Sequence, residues 1–267
     1  MGEGLKALIL GIIQGLTEFL PVSSSGHLEL ANSFFGDHGL PKEQALMTVT
    51  LHVATVVATL LVFRKDIGEI LKGVLNRDSQ QLRFAGFIII SMIPAVFIGV
   101  LFEDAIDSLF SSNILLVASM LILTGIWLLL ADRQPKTQQK SISKGSAVMI
   151  GLAQAVAILP GISRSGATIG TALMLGISRE KAARFSFLMV IPVILGKVFL
   201  DLLQGDYAQT TIASSSLLIG FTSALIAGYF ACKWMIDIVK KARLSYFGWY
   251  CLTIGMIGWV WILMTKG

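Results

Sequence analysis

Residues 18–27 read EFLPVSSSGH and residues 160–168 read PGISRSGAT. The first stretch carries a carboxylate, Glu18, an imidazole, His27, and the hydroxyls of Ser23, Ser24 and Ser25. The second carries a guanidinium, Arg164, between Ser163 and Ser165, with Thr168 close behind. An arginine among hydroxyls suits a phosphate, because its planar fork can donate two parallel hydrogen bonds to it. Gly161 and Gly166 let backbone amides approach an anion closely. The following GATIGTALML reads as a helix whose N-terminus points at the same anion. The expected phosphate-binding set is therefore Ser23, Ser25, Gly161, Ser163, Arg164, Ser165, Gly166 and Thr168. A structural role for Arg164, capping a helix or pairing with Glu18, is the competing reading.

Gln14 and Glu18 are four residues apart and share one helix face. Glu18, with Gln14 beside it, is a candidate ligand for Mg²⁺ or Ca²⁺, since Mg²⁺ often takes only one or two protein carboxylates and fills its shell with substrate phosphates. The catalytic candidates are Glu18, Ser24, His27 and Arg164. Three attacking groups are open: Ser24 activated by His27, His27 itself, or a metal-bound water. Ser24 with His27 as its base is favoured, because a serine hydroxyl is weak without a partner base. His52, in TLHVATVV, lacks such company and reads as a packing or hydrogen-bonding residue.

The elements that must hold these groups are membrane helices. The chain has 267 residues, of which 55% are hydrophobic and 14% charged. Soluble domains average about 25% charged, so too few charges are present to clothe a wetted surface. A net charge of +5, which in a soluble protein would suggest a nucleic-acid partner, is here read as loop charge that sets orientation. The apolar start is interrupted by Gln14 and Glu18 before any convincing cleavage site, so removal as a signal peptide is not expected. Cys232 and Cys251 lie in or beside apolar runs; a disulfide is not expected and they do not indicate a redox compartment.

Six stretches reach the roughly 20 apolar residues of a full span: about 46–63, 84–102, 113–131, 185–203, 214–232 and 244–263. Residues 5–35 and 147–175 are broken by proline, serine and glycine, and read as re-entrant helix–loop–helix hairpins. Basic residues concentrate in loops 64–83, 132–145 and 233–243 and in segment 176–184, all on one side of a six-span chain. That side is the cytoplasm, which puts both termini and the acidic loop of Glu103, Asp104 and Asp107 outside.

Residues 11–27, GIIQGLTEFLPVSSSGH, align without gaps on 151–167, GLAQAVAILPGISRSGA, matching Gly11 to Gly151, Gln14 to Gln154, Ser23 to Ser163, Ser25 to Ser165 and Gly26 to Gly166. Each half is a hairpin followed by three spans, so the second half is inverted. The expected organisation is one membrane domain over 1–267: repeat 1 about 1–131, a cytoplasmic linker 132–145, and repeat 2 about 146–267. Inverted repeats with broken helices place their site near the midplane. Non-helical backbone at that depth belongs in protein or along a cavity. The two serine turns are thus expected to face each other. Glu18 aligns with Ile158, Ser24 with Arg164 and His27 with Ala167, so the repeats differ where chemistry needs them to.

These motifs resemble the bacitracin-resistance type of undecaprenyl-pyrophosphate phosphatase over the whole chain. The first family signature is an acidic or amide residue, three residues, then glutamate, here QGLTE from Gln14 to Glu18, running on into FLPVSSSGH. The second is PGISRS, from Pro160 to Ser165. The resemblance implies an all-α integral membrane enzyme that hydrolyses a C55 polyprenyl diphosphate to the monophosphate and phosphate. It implies recycling of the lipid carrier for peptidoglycan and other wall polymers, bacitracin resistance, a divalent cation, and a site open to the outer face of the bacterial inner membrane. It matches Glu18, Ser24, His27 and Arg164 to the family's functional positions, and Ser163, Ser165 and Thr168 to its phosphate-contacting stretch. Many members carry glutamate where this chain has Gln14, which leaves one carboxylate in the pair. Acid-phosphatase-like lipid phosphatases need a further histidine downstream of the arginine, and none follows Arg164. A polyprenyl-phosphate transporter or flippase with the same anion site is the alternative from another class.

Overall fold

In the computed structural model, residues 2–35, 41–110, 113–135, 140–204, 212–241 and 243–266 are described. Their regular structure is helical: α1 (Glu3–Phe19), α2 (Ser24–Phe34), α3 (Pro41–Val62), α4 (Arg64–Leu75), α5 (Ser79–Leu101), α6 (Glu103–Phe110), α7 (Ile114–Asp132), α8 (Lys144–Val156), α9 (Arg164–Met174), α10 (Arg179–Gln204), α11 (Ser214–Lys240) and α12 (Leu244–Lys266). Among the described residues the only β-like feature is an isolated bridge between Lys140 and Ile177.

Six helices are long and apolar enough to cross a membrane: Gln44–Val62, Ser79–Leu101, Ile114–Asp132, Arg179–Leu200, Ser214–Val239 and Leu244–Met264. They match the six expected spans, with some ends lengthened by local caps. Asp78 accepts from the amides of Gln80 and Gln81 at 2.7 and 3.1 Å, which starts α5 five residues before the expected span. Asn113 caps α7 through the Leu116 amide at 3.1 Å. Large apolar side chains such as Ile93, Phe97 and Trp249 stay exposed on these helices, a surface made for lipid rather than water.

Two expected loops are corrected. Residues 64–83 contain helix α4, because Ile67, Ile70 and Leu71 fall on one face of an otherwise charged segment, and Ile67 and Ile70 pack on the main core. Residues 103–110 form α6 rather than an open acidic loop. The expected loop positions 111–112, 136–139 and 205–211 lie outside the described residues.

Both expected interruptions are present. α1 stops at Phe19 because Leu20 precedes Pro21 and is driven to extended geometry, φ −68°, ψ 142°. α8 stops at Val156, and the chain passes Pro160 before α9 begins at Arg164. Close backbone packing sets each broken helix in place. α1 lies on α11: a Cβ on Gly15 would sit 2.6 Å from the Ala224 carbonyl oxygen. α8 lies on α5: a Cβ on Gly151 would sit 2.5 Å from the Ser91 carbonyl oxygen. α12 packs along α7 and so reaches the first break, where Val22 clusters with Leu128 and Cys251.

Candidate active site

The two serine turns are built alike. Ser23 caps α2 by accepting from the Gly26 amide at 3.2 Å, and Ser163 caps α9 by accepting from the Gly166 amide at 3.1 Å. In each turn the serine two residues on lies against the capping hydroxyl: Ser23 to Ser25 and Ser163 to Ser165, both 3.3 Å. Ser23 takes a left-handed φ of 71°, which bends the chain sharply back over the end of α1. Gly161, with φ 95°, lets the second turn lie against the Val117 carbonyl, where a Cβ would come within 2.4 Å. Thr124 of α7 fixes that turn from the side, accepting from the Ser163 amide at 3.0 Å and donating to the Gly161 carbonyl at 3.2 Å.

The turns touch each other. A Cβ on Gly26 would lie 3.2 Å from the Gly161 Cα, and one on Gly166 would lie 3.4 Å from the Pro21 Cβ. Ser165 donates its hydroxyl to the Leu20 carbonyl at 3.2 Å. This contact brings together groups far apart in sequence. Glu18 Oε1 pairs with Arg164 Nη2. Glu18 Oε2 accepts from Ser24 Oγ at 2.7 Å and from Gln14 Nε2 at 2.9 Å. The carboxylate is nearly sealed, but the Arg164 side chain keeps 22% of its surface exposed, so a ligand can reach the guanidinium. A small cavity beside the pair is lined by Glu18, Arg164, Ser165, Thr59 and Ser186 on its polar side and by Phe187, Val190 and Ile194 on its apolar side.

Four expected residues, Gln14, Glu18, Ser24 and Arg164, thus form one connected network. The expected pairing of Ser24 with His27 is not made. His27 Nδ1 lies 2.8 Å from the Ser23 carbonyl and Nε2 lies 2.9 Å from the Tyr250 hydroxyl, with the two rings stacked at 5.6 Å. A carbonyl can only accept, so Nδ1 donates, and in the neutral ring Nε2 accepts from Tyr250. The reversal at Ser23 sends the Ser24 hydroxyl toward Glu18 instead. The Gly166 amide is taken by Ser163, and Gly161 and Gly166 serve close packing of the turns. Thr168 donates to the Arg164 carbonyl at 2.8 Å and lies 2.5 Å from the Ser186 hydroxyl, anchoring the first turn of α9.

Tyr250, Thr124 and Ser186 were not singled out from sequence. The first two sit in long apolar segments and become neighbours of the turns only through packing. Thr59 and His52 did carry a signal: Thr48, His52, Thr55 and Thr59 recur at helical spacing in an otherwise apolar helix.

The Gln14 Oε1 atom is buried without a hydrogen-bond partner. With its amide turned over, so that Oε1 rather than Nε2 faces Glu18, Gln14 would give two hard oxygen donors together with the carboxylate, and no group of three or more His, Cys, Asp or Glu side chains clusters among the described residues. This donor set fits Mg²⁺ or Ca²⁺ that takes most of its ligands from phosphate and water. It does not fit a cage of protein ligands alone.

The model of the bacitracin resistance protein BacA family matches residues 7–257. The chain is 53% identical over 251 residues to an undecaprenyl-diphosphatase of Christiangramia forsetii, covering 94% of this chain and 95% of that one. It is 46% identical over 259 residues to an undecaprenyl-diphosphatase of Bacteroides fragilis, covering 96% and 97%. An undecaprenyl-diphosphatase of Carboxydothermus hydrogenoformans is 42% identical over 260 residues, covering 95% of each. Family model and relatives span both serine turns and every element around them, and the chain belongs to the bacitracin resistance protein BacA family.

Proposed function

We propose that this protein is an undecaprenyl-diphosphatase: it hydrolyses undecaprenyl diphosphate to undecaprenyl phosphate and inorganic phosphate. The reading rests on the family and its named relatives. The observation that carries it is the Ser24–Glu18–Arg164 network at the contact of the two turns. It sets a hydroxyl, a base and a phosphate-binding fork side by side among apolar helices. A substrate with a diphosphate head and a long isoprenoid tail needs both surroundings.

In the reaction, Arg164 with the hydroxyls of the two turns holds the terminal phosphate. Ser24 Oγ attacks its phosphorus while the Oγ proton passes to Glu18. The bond to the bridging oxygen breaks, and the departing lipid phosphate keeps that electron pair. Water then attacks the phosphoserine. Oγ leaves and recovers its proton from Glu18, while the water proton goes out on the released phosphate. Arg164 holds Glu18 in the free site and turns toward phosphate when substrate arrives. Gln14 and Glu18 would hold a divalent cation, which when bound neutralises diphosphate oxygens. His27, held by Ser23 and Tyr250, braces the first turn rather than attacking.

The broken segments 5–35 and 147–175 are read as re-entrant hairpins of an inverted repeat, repeat 1 about 1–131 and repeat 2 about 146–267. Their like caps and their reciprocal docking, α1 on α11 and α8 on α5, support this. The basic loops set the cytoplasmic face, both termini outside and the site open to the outer face of the bacterial inner membrane. There the enzyme would return the lipid carrier to cell-wall synthesis and lower sensitivity to bacitracin. Detergent-purified protein given undecaprenyl diphosphate should release inorganic phosphate, and Arg164→Ala should not. Binding of the lipid without phosphate release by the wild type would favour a transporter instead.

A further inference from the structure

Helix α3 has three faces. Leu51 and Ala54 are buried against Leu10 of α1 and Ala224 of α11, and Ala58 lies beside Gly228 of α11. Val49 and Val56 pack on Val190 and Ile194 of α10. At about 100° per residue, Thr48, His52, Thr55 and Thr59 fall between these two apolar faces and look inward. Thr55 and Thr59 are buried, and Thr59 lines the cavity beside Glu18 and Arg164. The His52 imidazole lies within electrostatic range of the Glu18 carboxylate.

At the buried end of the stripe the hydroxyls are closed, and His52 keeps one ring nitrogen open. Thr55 donates to the His52 carbonyl at 2.9 Å and Thr59 to the Thr55 carbonyl at 2.8 Å, so both hydroxyls are satisfied within the helix. His52 Nδ1 lies 2.8 Å from the Thr48 carbonyl, which can only accept, so Nδ1 donates there. Nε2 makes no hydrogen bond among the described residues, and the ring is half-buried, about two helical turns before Thr59 on the same side of α3. The other imidazole near the site, His27, has both nitrogens engaged. A diphosphate has two phosphate groups, and Arg164 with its serines serves one of them.

We propose that His52 holds the second phosphate of the substrate, the one that departs on the lipid, through a hydrogen bond from Nε2. This rests on the diphosphatase reading of the site. The bond needs a donor at the Nε2 position and no proton transfer, so an amide should replace it. His52 is therefore a substrate-binding residue for the leaving phosphate, and it distinguishes a diphosphate from a single phosphate.

The test compares His52→Gln and His52→Leu in the full chain, each checked for wild-type Tm and monodisperse elution. Two readouts are used: turnover of undecaprenyl diphosphate, and calorimetric binding of methylenediphosphonate and of inorganic phosphate. His52→Leu should lose roughly 10–100-fold in affinity for the diphosphonate, as expected for one hydrogen bond to a charged group, with phosphate binding unchanged. His52→Gln should restore most of both diphosphonate affinity and turnover. Wild-type diphosphonate affinity in a folded His52→Leu protein would overturn the proposal. So would a His52→Gln protein with normal diphosphonate binding but turnover as low as His52→Leu, which would make His52 a proton carrier. Absence of phosphate release by the wild type would instead overturn the reading on which the proposal rests.

Discussion

Glu18 and Arg164, 146 residues apart in sequence, form an ion pair where the two serine turns meet. The same carboxylate accepts the Ser24 hydroxyl through its other oxygen. One side chain thus links Arg164, the proposed phosphate-binding group, to Ser24, the proposed nucleophile. Breaking a pair this enclosed by removing one partner leaves a buried charge without compensation, so changes at either residue should be felt at both.

Arg164→Lys should fall nearly as far as Arg164→Ala. Lysine keeps the charge but loses the planar fork. Loss of one well-placed donor to a reacting anion costs about 2.7–4 kcal/mol, roughly 10²–10³ in rate. Steady-state phosphate release from the folded variants checks this, and near-normal turnover by the lysine form would show that charge alone suffices.

Glu18→Gln should abolish turnover and flatten its dependence on added Mg²⁺ or Ca²⁺, because both the base and the single carboxylate ligand disappear. Gln14→Glu should keep activity when Mg²⁺ or Ca²⁺ is supplied, since a cation between the two carboxylates would replace the lost Gln14 Nε2 hydrogen bond to Glu18. Metal titrations of phosphate release on the two variants give the comparison. An active Glu18→Gln enzyme with an unchanged metal response would remove Glu18 from both roles.

Gly15→Val should destabilise the protein without touching the chemistry directly. A Cβ there meets the Ala224 carbonyl oxygen at 2.6 Å and the Gly228 amide nitrogen at 2.7 Å, so α1 and α11 must part. Overpacking of this kind costs about 1–3 kcal/mol. Thermal unfolding in detergent should show a clearly lowered midpoint, whereas Gly145→Ala, with nothing within 4 Å of the added carbon, should leave it unchanged.

The topology can be read by labelling. Single cysteines placed in 103–112 or 204–213 should react with an impermeant thiol reagent added to intact cells. Those in 64–83 or 233–243 should react only after permeabilisation. External labelling within 64–83 would contradict the inverted arrangement of the two halves.

Much of this was legible in the sequence because membrane helices follow apolar length and proline restricts its neighbours. The six spans and both breaks follow from those two rules, and the alignment of Ser24 with Arg164 already set the two turns against each other. Helix α4 was not legible as a helix, because the high charge of Arg64–Leu75 masks the single apolar face that docks it. The partner of Ser24 was missed because closeness along the chain favours His27, while the left-handed turn at Ser23 reverses the direction. Tyr250, 223 residues from His27, carries no local mark that would assign it to the site.

The most direct measurement of the central claim is rapid quenching with undecaprenyl diphosphate labelled in its terminal phosphate. An acid-stable phosphoserine should form at Ser24, found by mass spectrometry, absent in Ser24→Ala and strongly reduced in Glu18→Gln. His27→Ala should still form the adduct, because the Ser24 hydroxyl is bonded to Glu18 and not to His27. An acid-labile label on His27, or full turnover by Ser24→Ala, would contradict that claim.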